Sequence, residues 1–169
     1  MYEYDIDESN SLKEEITELL SLCERYDEEN DGEYSYFDPA ISEEDMINWE
    51  RENNASIPES YKEWLRFTGK CRIAQNTAMF WDPSGFNSDF VEEDMVVIGE
   101  LIGDGERVCF SKTTGEMMEL FEGRSTVVEG FGEVLSRIIR MLDDQPILSK
   151  ERYEEILKEL QADREAGRI

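Results

Sequence analysis

Ile57-Pro58-Glu59-Ser60-Tyr61-Lys62-Glu63-Trp64-Leu65-Arg66-Phe67-Thr68-Gly69 is the stretch from which the fold is read. Pro58 suits the first turn of a helix, where its missing N–H is no loss, and Gly69 suits a left-handed residue past the helix end. Between them Tyr61, Trp64, Leu65 and Phe67 put bulky apolar groups on one side of a short helix. Downstream, Val96-Val97-Ile98-Gly99, Glu106-Arg107-Val108-Cys109-Phe110 and Glu116-Met117-Met118-Glu119-Leu120-Phe121 read as strands. Gly103-Asp104-Gly105 and Thr113-Thr114-Gly115 separate them as tight turns. A helix followed by strands joined this way predicts an α+β domain: a mostly antiparallel sheet of about five or six strands flanked by helices.

Working toward the N-terminus, Leu12, Ile16, Leu19, Leu20, Cys23 and Tyr26 recur every three or four residues, which predicts a helix from about Ser11 to Glu28 with one apolar face. Its other face is nearly all Glu, with few basic residues for pairing across a turn, so docking of the apolar face must stabilise it. Ser42, with Asp45 three residues on, has the form of a helix N-cap opening a segment with Met46, Ile47 and Trp49 that ends at Asn53-Asn54. Toward the C-terminus come short runs at Cys71 to Ala74 and Ala78 to Trp81, a turn at Asp82-Pro83-Ser84-Gly85, and an acidic loop from Ser88 to Asp94. Phe131, Val134, Leu135, Ile138, Ile139 and Leu142 form a helical stripe, and a last helix from about Ser149 carries Tyr153, Ile156, Leu157 and Leu160. The organisation expected is an acidic helical extension over residues 1–38, an α+β domain over 39–142, and a C-terminal helix within 143–169 packed on that same domain.

The 169 residues carry 42 acidic against 17 basic side chains, a net charge of −25. A field of that sign repels nucleic-acid phosphates and anionic membrane surfaces and speeds encounter with a basic partner, so neither direct nucleic-acid binding nor membrane association is expected. Aromatic residues at 11% argue for a folded core. The N-terminus, Met1-Tyr2-Glu3-Tyr4-Asp5, lacks the basic and apolar regions of a signal peptide, and the chain is expected in the cytoplasm. Cys23, Cys71 and Cys109 are odd in number and widely spaced; they read as buried free thiols.

The ordered set of the acidic helix with Trp49, the Ile57-Pro58 turn, the helix with Tyr61 and Trp64, the Ile98-Gly99 strand, the Gly103-Asp104-Gly105 turn, the Gly115 hairpin and the apolar helix near Phe131 resembles the SUKH superfamily. That superfamily comprises bacterial immunity proteins that neutralise toxins and the related fungal regulators of cell-wall synthesis. The resemblance runs from about Pro39 to Leu142. Members often carry an Asn-Gly-Gly-like run after the central helix, where this chain has Thr68-Gly69-Lys70. What the resemblance implies is a non-enzymatic immunity protein that binds a cognate basic toxin domain, a nuclease being the natural target for an acidic surface, and occludes its active site. The fungal branch implies the alternative, a regulatory or scaffold module that binds proteins without blocking an activity.

The chain has no histidine, which removes Ser-His, Cys-His and His-metal arrangements together. No catalytic residue, metal site or cofactor is expected. Asp27 to Asp38 overlaps a calcium-loop template, but the long Glu29 in its third place, Asp38 where a bidentate Glu is wanted and the adjoining Pro39 favour a solvated acidic loop; whether it takes calcium stays open. Gly99, Gly103 and Gly105 have the wrong spacing for a phosphate loop and read as hairpin glycines. Tyr61, Trp64 and Trp49, at helical spacing among apolar neighbours, read as core. The candidate partner-binding patch is Trp81, Phe86 and Phe90 beside Glu92, Glu93 and Asp94: aromatic anchors supply binding energy, and surrounding acids set encounter rate and selectivity.

Overall fold

The structure, a computed structural model, describes residues 4–32, 34–75, 77–88, 91–101 and 105–144. Phe90 and the C-terminal helix expected from Ser149 lie outside the described residues. Among these described residues four α-helices, α1 (Lys13–Glu29), α2 (Glu43–Asn53), α3 (Glu59–Leu65) and α4 (Phe131–Asp143), accompany seven strands. The strands are β1 (Tyr36–Phe37), β2 (Cys71–Ile73), β3 (Ala78–Phe80), β4 (Met95–Leu101), β5 (Glu106–Ser111), β6 (Met117–Phe121) and β7 (Arg124–Val128). They form one sheet in chain order, β1 to β7, every neighbour antiparallel. Among the described residues no helix is long and apolar enough to cross a membrane.

The two-residue period sends alternate strand residues to opposite faces. One face, with Phe37, Cys71, Ile73, Phe80, Val96, Ile98, Val108, Phe110 and Met117, joins the apolar sides of the helices in one core. In it α1 supplies Ile16, Leu19 and Cys23, with Leu12 just before it, and α4 supplies its whole predicted stripe. Tyr61 and Trp64 are fully buried at its centre, and Trp49 packs against it. The acid-rich α1, which has few basic residues of its own, is thus docked through its apolar face. The cysteines are all free and buried; burial pushes the Cys23 and Cys109 thiols up to about 12, so they stay protonated and act as small hydrophobes.

Local signals place both ends of α2 but not those of α3. Ser42 caps α2 by accepting from the Asp45 amide at 3.1 Å, and Asn54 closes it in the left-handed region (φ 47). Pro58 sits one residue before the first turn of α3, in extended geometry. Gly69 is not the left-handed terminator predicted for α3, which ends through Arg66 in right-handed geometry. Gly69 is required for its size instead: a Cβ there would stand 2.6 Å from Ile41 Cδ1, and its amide donates to the Pro39 carbonyl at 3.0 Å.

Seven strands form where five or six were expected, the additions being β1, only two residues long, and β7. The β6–β7 hairpin has a two-residue loop, Glu122-Gly123, with positive φ at both positions (48 and 75), the geometry that Asn-Gly usually supplies. A glutamate is strained there, so Glu122→Asn is expected to stabilise the fold by about 0.5–1 kcal/mol, read as a higher urea midpoint at unchanged slope. A lower midpoint would show that Glu122 makes a compensating contact.

Candidate functional site

The face of the sheet turned away from the helices carries a second, smaller apolar cluster. Met95, Val97 and Cys109 are its buried centre, with Trp81, Val91, Met118 and Leu120 packed around them. Val91 belongs to the segment 91–94 that leads into β4. Between that segment and β5, β6 and β7 lies a groove of about 680 Å³. Its floor is Met95, Met118 and Leu120, and its rim holds Glu92, Asp94, Glu116 and Glu122 together with Arg107 and Arg124.

The structure divides the predicted patch. Trp81 lies half-buried on this open face, next to the groove although not in its lining. Phe86, five residues on, crosses to the helix side after the 3₁₀ turn over Pro83–Gly85. There it meets Trp49 edge-on at 5.1 Å, and Tyr61 at 5.9 Å and Phe110 at 6.1 Å. An aromatic ring so placed stabilises the core and offers a partner little. Glu92 and Glu93 are exposed, Glu92 on the groove rim.

Asp94 has an internal duty. The hydroxyls of Ser111 and Thr113 both donate to its carboxylate at 2.5 Å, the Thr113 amide adds a third bond at 3.2 Å, and the Lys112 amide donates to its carbonyl at 2.8 Å. These bonds, Ser111 first and then Thr113, hold the Asp94 carboxyl below the usual aspartate range. Asp94 therefore ties the β5–β6 turn to the start of β4, which fixes one wall of the groove. Its serine and threonine partners lie seventeen and nineteen residues away, beyond any spacing rule.

The charge distribution follows from where the few cations go. Arg66 pairs with Glu43, Glu59 and Glu63 at 2.6 to 2.8 Å. Arg137 of α4 grips Glu106 with both terminal nitrogens at 2.6 and 2.8 Å and also reaches Glu119 on β6. Lys62 pairs with Glu50 at 2.8 Å, and Arg25 with Asp143 at 3.3 Å. These pairs bind helix to helix and helix to sheet, so the surplus of acid is left at the surface. A second groove of about 970 Å³ runs along α1, where Glu8, Glu14, Glu15 and Glu18 face it beside Lys13. Its lining has only Leu22 as a large apolar group, and without an anchor such a surface attracts a partner but holds it weakly.

In the acidic segment that overlaps the calcium-loop template, Asp27 points inward: its carboxylate accepts from the Ser35 amide at 3.2 Å and the Ser35 hydroxyl at 3.3 Å, linking the last part of α1 to the residue before β1. Among the described residues no group of three or more His, Cys, Asp or Glu side chains is placed to hold a metal ion. No protein-family profile matches the chain, and no curated protein matches it.

Proposed function

We propose that this protein acts by docking: it is an immunity protein that holds a basic toxin domain against the open face of its sheet, occludes that domain's active site, and breaks no bonds itself. The observation that supports this most directly is the groove with an apolar floor, Met95, Met118 and Leu120, and a rim of four acids beside two arginines, on a framework in which Arg66, Arg137 and Lys62 are paired with acids elsewhere. That is the anatomy of an interface in which a buried apolar centre supplies affinity and a charged rim supplies steering. The SUKH-like order of sequence elements supports the same reading, and a cytoplasmic location goes with it.

The test is binding and inhibition with the purified product of the adjacent gene. Association is expected to slow steeply between about 0.1 M and 1 M salt, as the screening length falls from about 10 Å to about 3 Å. Met118→Lys, which puts a charge on the groove floor, is expected to weaken binding at least ~30-fold, the scale of one hot-spot residue. Glu92→Lys combined with Glu122→Lys is expected to slow association and leave dissociation nearly unchanged. Binding without inhibition would turn the assignment to a regulatory module; no binding to the neighbouring product at either salt would remove the proposal's main support.

A further inference from the structure

We infer that the outer edge of β7 is a self-recognition strand, through which two copies of this chain join their sheets into one continuous antiparallel sheet about a two-fold axis. The inference is independent of the docking reading. A sheet edge exposes a row of unpaired backbone groups, and proteins usually guard it by shortening the strand, bulging it, inserting proline or turning a charge inward. The other edge follows that rule, since β1 has two residues and Pro39 follows closely. The β7 edge does not. Arg124-Ser125-Thr126-Val127-Val128 pairs with β6 in unbroken register, contains no proline, and is uncharged over its last four residues. Four of its five residues are exposed, and Val127, at 57%, is the most exposed of the large apolar side chains described.

The two-residue loop decides which groups are free. It makes Phe121 and Arg124 the closing pair that exchanges both hydrogen bonds, so Thr126 and Val128 also turn their amides to β6. The N–H and C=O of Ser125 and Val127 then face outward, and among the described residues no hydrogen bond reaches them. Glu129, next along, is closed off because its amide donates to the Glu133 carboxylate at 2.8 Å. In antiparallel pairing about a two-fold axis, Ser125 of each copy meets Val127 of the other, and the two Thr126 side chains face each other across the axis. Every free group finds a partner in that register, in four hydrogen bonds.

Charge selects the same occupant. Arg124 opens the strand, while Glu129 and Glu133 follow its end, so antiparallel pairing brings each copy's Arg124 toward the acidic end of the other. The bulk charge of −25 per copy opposes association from long range, whereas the strand itself adds no like-charge contact. Self-association should therefore tighten with salt, the reverse of the behaviour expected for a basic partner.

Sedimentation equilibrium of the full chain, from micromolar to submillimolar concentration at about 0.1 M and about 1 M salt, tests this. The expected result is a monomer–dimer equilibrium shifted toward dimer at high salt. Val127→Pro removes one donor per copy, two of the four intermolecular bonds, without touching the β6 ladder, and is expected to weaken the dimer roughly 30-fold. Val127→Lys sets a like charge on each side of the axis and should abolish it, and decides the matter if the proline variant folds poorly by circular dichroism. A wild-type monomer throughout both salts overturns the inference, as does a dimer that survives Val127→Lys or one that loosens with salt.

Discussion

Gly99→Ala is expected to lower the stability of this protein by about 3 kcal/mol, a fall of roughly 6–12 °C in the thermal midpoint. The cause is a bulge in β4. Val97 pairs with Cys109 and Gly99 with Val108, so Ile98 is an additional residue and the alternation of faces shifts by one. Gly99 is thereby turned toward the helix side, directly beside Phe80 on β3. A Cβ at this position would stand 2.2 Å from Phe80 Cδ1 and 2.6 Å from the Met79 carbonyl oxygen. The ring could be cut back, but the carbonyl belongs to the β3 backbone and cannot retreat without loosening the sheet. Phe80→Leu in the Gly99→Ala background should hence recover only part of the loss, whereas Gly69→Ala, whose nearest neighbour is the tip of Ile41, should cost less. If chemical denaturation finds Gly99→Ala within 0.5 kcal/mol of the parent, near the scatter of ordinary surface changes, the bulge is not where it has been described.

Gly99 also shows what kind of information a sequence carries. The run Val96-Val97-Ile98-Gly99 identifies a strand, and the class of fold follows from it, but a glycine at a strand's centre looks the same as one at a turn until the partner strand is known. The helices α1 and α4 are legible because their apolar stripes are continuous, and α2 because its caps, Ser42 and Asn54, depend on residues within a turn. The β7 strand leaves no mark in the sequence because its side chains are exposed and show no alternation, and its turn uses a glutamate where an asparagine would signal it. Phe86 and Trp81 are close in the chain, but the 3₁₀ turn between them sends the two rings to opposite faces. The sequence marks Asp94 only as part of an acidic loop, whereas its carboxylate is held by hydroxyls from the β5–β6 hairpin. Contacts that are local in sequence were legible; those that depend on which strand lies next to which were not.

Arg137→Met is expected to destabilise the fold by about 2 kcal/mol near neutral pH and by much less near pH 4.5. Arg137 stands between two carboxylates whose side chains are only 14% and 10% exposed, Glu106 and Glu119, while its own side chain is 38% exposed. Removing one partner of a buried pair commonly costs more, but the half-open guanidinium is screened by water, which reduces the figure. The sign of the pH dependence comes from Glu119. Burial raises its carboxyl above the usual glutamate range, with Arg137 opposing that rise and Glu106 adding to it. Without the arginine the carboxyl moves further up. Between the unfolded value of about 4.3 and this raised value the folded state binds more protons than the unfolded state, so the variant loses stability as pH rises through the window. Glu43 and Glu50, whose carboxyls are held low through Arg66 and Lys62, make both proteins less stable in acid, and they cancel in the comparison. Glu119→Gln added to Arg137→Met should restore part of the loss at neutral pH and flatten the difference. Urea unfolding at the two pH values decides the point: an equal loss at both would mean that the arginine contributes through the packing of its aliphatic stem against α4 and the sheet, and that the charge at the helix–sheet seam is a bystander.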